Sequence, residues 1–146
     1  MTASNNDPVP PLGHRSQTPD VTAPDGSEIR LLVDGRQGAF KSSLVEVTLG
    51  PGRVTRPVRH RSVEEVWYVL EGAGMVWRCP PDAEPVTVPA MNVKLGDALV
   101  IPTGWSFQFN AGPDKALKFL CHTTPPWPEE DEAVAVEHGG LGEATV

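Results

Sequence analysis

Glycine and proline interrupt this chain every few residues. Its 146 positions hold 14 glycines and 16 prolines, spread along the whole length. Neither is at home inside a helix: glycine gives up too much unfolded freedom, and proline removes a backbone donor. Long helices therefore have no room. Between the interruptions lie short, valine-rich, alternating runs such as Leu44–Leu49 and Val66–Leu70. Such runs, bounded by turn residues, are expected to pack as an all-β sandwich or barrel.

Ten strands are expected: Glu28–Val33, Phe40–Leu49, Val54–His60, Glu65–Glu71, Met75–Arg78, Val86–Val88, Met91–Lys94, Ala98–Ile101, Ser106–Asn110 and Lys115–Thr124. No convincing helix and no internal repeat is found. Residues 1–27 read as a proline-rich arm, 28–124 as one β-barrel and 125–146 as an acidic tail in which Trp127 can anchor on the barrel. Glu129–Glu132 reads as a solvated charge run.

The net charge of −7 and the pI near 5.0 argue against a phosphate-tracking surface. The arginine cluster Arg53, Arg56, Arg59 and Arg61 falls inside an expected strand and turn, so no nucleic-acid partner is expected. Two distant cysteines, Cys79 and Cys121, make neither a disulfide framework nor a CxxC knuckle. Cys79, ahead of two prolines, reads as a loop residue. The first residues lack the basic and apolar parts of a signal peptide. No apolar run approaches the ~20 residues of a membrane span. A soluble, cytoplasmic protein without a membrane partner is expected.

Residues 52–72 carry the most specific pattern. Gly52 is followed after five residues by Val58-Arg59-His60, after four more by Glu65, and after six more by Gly72. A second pattern sets Gly96, then Pro102 and Gly104, then Phe107 after two intervening residues and Ala111 after three more. The two resemble the paired motifs of the cupin superfamily. The segment TPPWPEEDEA after the last strand also looks like the tail of small single-domain cupins. The resemblance implies a cupin-type double-stranded β-helix, or jelly-roll barrel, with extended N- and C-terminal arms. It also implies that Val58 and Phe107 occupy two positions where cupins usually place metal-binding histidines.

Strand alternation sorts the remaining side chains. If His60 faces inward, so do Val58, Arg56 and Val54. If Glu65 faces inward, so do Trp67 and Val69. If Phe107 does, so do Trp105 and Phe109. On the last strand, Lys118/Leu120/His122 and Phe119/Cys121/Thr123 are equally open as the inward set. The expected pocket is apolar, with few convergent polar groups, as small-molecule sites usually are. Trp67, Val58, Trp105, Phe107, Phe109 and His122 are its candidate substrate contacts. Tyr68 points away and suits packing or subunit contact.

His60 and Glu65 leave three readings open. They are two ligands of a divalent iron, manganese, nickel or zinc ion, with a third from His122, Cys121 or an arm. They are a metal-free acid/base pair in which the carboxylate raises the imidazole pKa and fixes its tautomer. Or they satisfy only each other. Arg56 is the candidate for holding an acid group or polarising a carbonyl. The functions in competition are proton-transfer chemistry (isomerase, epimerase, dehydratase or cyclase) with His60, Glu65 and Arg56 as catalytic residues, a metal-dependent oxygenase, and a non-catalytic binding module. The ligand is expected to be a small apolar or aromatic molecule. A homodimer is expected, because small cupins commonly pair and the two arms can cross to a neighbour.

Overall fold

A computed structural model of the chain describes residues 9–128 and 131–146. Eleven strands occur among them: β1 Val21–Thr22, β2 Glu28–Val33, β3 Ser43–Leu49, β4 Val58–His60, β5 Glu64–Glu71, β6 Ala73–Cys79, β7 Met91–Lys94, β8 Ala98–Ile101, β9 Ser106–Ala111, β10 Leu117–Thr124 and β11 Ala133–Ala135. They form two antiparallel sheets. One has the order β1-β2-β3-β10-β5-β8 and the other β11-β4-β9-β6-β7. The chain crosses repeatedly between the sheets, as in a double-stranded β-helix.

Nine of the ten expected strands are present, three with the expected ends and six with shifted ones. The expected strand Val86–Val88 is absent. Pro85–Thr87 is a single 3-10 turn instead, and Val86 is 92% exposed. Pro85 sits at the start of that turn, where its fixed φ fits and its missing donor costs nothing. The strand expected from Val54 is cut back to Val58, with only an isolated bridge from Val54 to Asn110 before it. Pro57 cannot donate to a ladder, so pairing begins after it.

Both arms enter the sheets. β1 pairs with β2, and β11 pairs with β4 through Ala133↔His60 and Ala135↔Val58. The strands thus reach past 28–124 on either side. Where β5 turns into β6, Gly72 has φ +79°, and a Cβ there would overlap the Ala116 carbonyl. Only glycine meets both demands.

Between the sheets lies a core that includes Leu49, Val69, Val76, Phe109, Leu117 and Phe119. The opposite face of the second sheet is covered as well. Trp77 on β6 and Gln108 on β9 are cross-strand partners, stand outside the central core, and are both fully buried. The last residues of the tail close over them. Gln108 Nε2 donates to the Gly142 carbonyl at 2.8 Å, and its Oε1 accepts from the Leu141 N–H at 2.8 Å. Gly140 packs on the Trp77 indole so closely that a Cβ would collide with the ring. None of the described helices is long and apolar enough to cross a membrane.

Candidate functional site

Alternation on β4 sends Val58 and His60 inward and Arg59 outward. On β5 it sends Glu65, Trp67 and Val69 inward. On β10 it turns Phe119, Cys121 and Thr123 inward, with Thr123 opposite Glu65 and Cys121 opposite Trp67. β9 contributes Phe107, directly across from Val58, and Phe109. Apart from Val69, these inward side chains line a cavity of about 860 Å³ whose mouth is built from both arms, including Asp25, Trp127 and Glu132.

An aromatic wall surrounds the two polar residues. Trp67 stacks on Phe119 with centroids 3.9 Å apart, and Phe109 meets both rings edge-on. His60 is held edge-on between Phe107 at 5.1 Å and Trp127 at 4.9 Å. Such edge-to-face pairs suit the ring quadrupoles and hold the imidazole plane in place.

His60 is 4% exposed and Glu65 7%. Glu65 Oε1 accepts the Trp67 indole N–H at 2.9 Å, while Oε2 lies 3.5 Å from His60 Nδ1. That separation is too long for an ordinary hydrogen bond, and Nδ1 has no other partner. Burial dominates both residues. It pulls the His60 pKa from 6.5 down to about 4, partly opposed by the nearby Glu132 charge. It pushes the Glu65 carboxyl up to about 7, against the pull of the Trp67 hydrogen bond. The expected rise of the imidazole pKa is therefore reversed: desolvation of the buried ring outweighs the attraction of nearby carboxylate charge. Near neutral pH the imidazole is uncharged and Glu65 is close to half-protonated.

Glu132 is buried, although the sequence placed it in a solvated run. It accepts hydrogen bonds from the Ser62 N–H at 2.9 Å, the Ser62 hydroxyl and the Val63 N–H at 3.4 Å. These bonds hold its carboxyl below the usual range. Glu129 and Glu130 of that run lie outside the described residues.

Three expected site residues are elsewhere. Arg56 is exposed, donating to the Pro24 and Val146 carbonyls. Pro57 breaks the alternation, so Thr55 is buried in its stead and hydrogen-bonds to Phe109. Trp105 lies in the turn before β9, half-buried and outside the cavity lining. His122 is exposed, because the inward set on β10 is the other one. Cys79 closes β6 and is buried, with its thiol near the Pro80 and Ala83 carbonyls.

A metal ion of the kind cupins bind finds too few donors. His60 and Glu65 offer one nitrogen and one oxygen, and the two positions beside them hold the buried side chains of Val58 and Phe107. Of the expected third donors, His122 faces away, and Cys121 faces inward beside Glu65 but burial holds its thiol well above its usual pKa, against the thiolate a metal requires. Among the described residues no three His, Cys, Asp or Glu side chains converge as a metal site. The donor set does not fit a site of three or four protein ligands.

The site residues that sequence reasoning did not single out are Asp25 and Glu132 of the arms and Thr123 of β10, whereas Cys121 stood open as a third metal donor. Cys121 and Thr123 were legible as one of two inward sets. Glu132 and Asp25 carried no sequence signal, since their burial depends on where the arms fold back.

Comparison with known proteins agrees with this architecture. The sequence profile of the cupin family matches residues 19–136. An uncharacterised protein of Methanocaldococcus jannaschii is 33% identical over 111 residues, covering 75% of this chain and 82% of that protein. Among solved structures, oxalate decarboxylase from Bacillus subtilis superposes with a TM-score of 0.71 at 17% identity, over 89% of this chain and 33% of the enzyme. A predicted oxalate decarboxylase from Thermotoga maritima gives 0.62 at 20% identity, over 78% of this chain and 98% of that one. The coconut allergen cocosin gives 0.65 at 17% identity, over 82% and 31%. The chain spans about a third of the length of cocosin and of the Bacillus enzyme. At these identities the likeness is one of fold alone.

Proposed function

The chain belongs to the cupin family, and from that premise we propose that it performs metal-independent proton-transfer chemistry on a small, largely apolar molecule held in the barrel cavity. The observation that carries the reading is the buried pair His60–Glu65, 3.5 Å apart in an aromatic pocket. The uncharged imidazole has an unpartnered nitrogen that can accept a proton, and the nearby Glu132 charge offsets part of the desolvation that opposes it. Burial sets the carboxyl beside it at about 7, where it can hold or release one near neutral pH.

In this scheme His60 removes a proton from an acidified C–H of the substrate, and Glu65 and Glu132 stabilise the imidazolium that forms. The same proton returns to a different atom of the substrate, which makes the step an isomerisation, or leaves with a hydroxyl as water, which makes it a dehydration. The Trp67 indole N–H fixes one oxygen of Glu65 and leaves the other directed at the imidazole. The aromatic wall excludes water that would otherwise quench the abstracted pair. Arg56 takes no part, since it lies outside the cavity and is held by two backbone carbonyls.

The test is deuterium exchange. Small aromatic ketones and hydroxy ketones are incubated with the protein in heavy water and followed by proton NMR. Loss of a substrate C–H signal with the wild type, abolished by His60→Gln and by Glu65→Gln in folded variants, supports the proposal. Exchange that persists in both variants refutes it. A ligand that binds in the cavity and shows no exchange favours the non-catalytic binding module.

A further inference from the structure

The charges around the cavity are strongly one-sided. Asp25, Glu65, Asp131 and Glu132 all line it. Among the described lining residues Arg36 is the one permanent cation, and its Nε lies 3.0 Å from the Asp34 carboxylate, which lines the cavity too. The guanidinium that would have received an acid group, Arg56, is outside and committed to two backbone carbonyls. An anionic ligand entering this cavity meets carboxylates and no free cation. Burial raises the Asp25 and Glu65 carboxyls toward their neutral forms, whereas hydrogen bonds keep Glu132 low, so Glu132 supplies fixed negative charge that a dry site screens weakly.

A cation meets the opposite field, and it also finds an unused seat. His60 Nδ1 is buried with no hydrogen-bond partner, and Glu65 Oε2 stands 3.5 Å from it. With Glu65 ionised, Nδ1 and Oε2 are two acceptors side by side, a setting that suits a group carrying at least two N–H bonds. An ammonium supplies them and brings the charge the surrounding carboxylates favour. Around the seat stand the indoles of Trp67 and Trp127 and the rings of Phe107, Phe109 and Phe119. Aromatic faces attract organic cations through their quadrupoles, tryptophan most strongly, and they cover the ligand's apolar part. A phosphate or dicarboxylate would gain nothing from such walls.

We propose that the cavity selects a small organic amine, bound as its ammonium ion between His60 and Glu65 with its apolar part against the aromatic wall. This rests on the reading that the cavity is the functional site, and it names the substrate class for that site. The amine nitrogen anchors the molecule beside the pair.

Three ligands of one shape and different charge separate the possibilities: benzylamine, benzyl alcohol and benzoate. Each is titrated calorimetrically into the full chain at millimolar concentration. Benzylamine is expected to bind at least about tenfold more tightly than benzoate, with benzyl alcohol between them. Glu65→Gln keeps the shape and an acceptor for Trp67 but removes the charge; it is expected to weaken benzylamine about tenfold and leave benzyl alcohol unchanged. Benzoate binding as tightly as benzylamine overturns the charge inference and leaves the cavity as a binding site. Benzylamine binding equally to wild type and Glu65→Gln overturns the seat. Failure of all three ligands to bind overturns both this inference and the functional reading beneath it. If Glu65→Gln does not fold, the wild-type order of the three ligands still decides the charge inference.

Discussion

His60 and Glu65 trade a proton when the chain folds. In the unfolded chain the imidazole is protonated below about 6.5 and the carboxyl below about 4.5; in the folded chain the values are about 4 and about 7. Each displacement is worth roughly 3 kcal/mol at its full extent. The two act in opposite directions. His60's depressed value removes stability as pH falls from about 6.5 to about 4. Glu65's raised value removes stability as pH rises from about 4.5 to about 7. Between about 4.5 and 6.5 the folded and unfolded chains each hold one proton on the pair, on different residues, so the pair adds almost no slope there. Removing one partner uncovers the other. Glu65→Gln is expected to lose about 2 kcal/mol between pH 6.5 and pH 4.5, and His60→Gln a similar amount between pH 5 and pH 7. Denaturant titrations at a series of pH values check this. Identical slopes in wild type and both variants would mean that the two groups keep their ordinary titration in the folded chain.

At the scale of strands, alternation worked wherever a strand was paired along its length. On β5 it placed Glu65, Trp67 and Val69 together, and all three are buried. It failed at Arg56 because Pro57 ends the ladder there, and at Trp105 because that residue lies in a turn with no alternation to follow. On β10 an unbroken run of mixed residues gave no preference of phase, and His122 fell on the wrong side. Glycine spacing and the motif positions carried the barrel and the His60–Glu65 pair. They carried nothing about β11, whose three residues, Ala-Val-Ala, have no distinctive pattern. Its place beside β4 depends on a clamp just before it. Glu132 gathers the Ser62 and Val63 amides that follow β4, and the Arg61 amide donates to the Glu132 carbonyl at 3.0 Å. Glu132→Ala leaves the buried Val63 amide and the part-buried Ser62 amide without this acceptor, a buried orphan donor costing about 1–3 kcal/mol. The variant is expected to lose about 1–3 kcal/mol in urea denaturation. Glu132→Gln, which keeps an acceptor, is expected to lose less than half of that. Equal losses in the two variants would count against the clamp.

Across the whole molecule, the tail converts an open sheet into a covered one. A fully buried tryptophan and a fully buried glutamine on the far face of the second sheet would otherwise stand in water, an arrangement that invites association with other chains. The covering segment is fastened at several points. Gln108 takes Leu141 and Gly142, the Val54 amide donates to the Thr145 hydroxyl at 2.9 Å, and the Thr145 amide donates to the Val54 carbonyl at 2.9 Å. Val146 ends against the core and beside Gly26, so the C-terminal segment touches the N-terminal arm near Asp25 at the cavity mouth. Removing residues 137–146 therefore does more than shorten a loop. Exposing a large aromatic side chain costs about 1.5–3 kcal/mol. The two lost hydrogen bonds of Gln108 add about 0.5–1.5 kcal/mol each. The truncated chain is expected to be less stable by about 3–5 kcal/mol, to show red-shifted tryptophan emission from Trp77, and to self-associate at concentrations where the full chain does not. Gly140→Ala probes the same contact without deletion, since the added methyl must displace the Trp77 ring or lift the tail. It is expected to cost about 1–3 kcal/mol, the usual range for overpacking. A truncated chain with unchanged emission and unchanged stability would show that Trp77 is protected by something other than the tail.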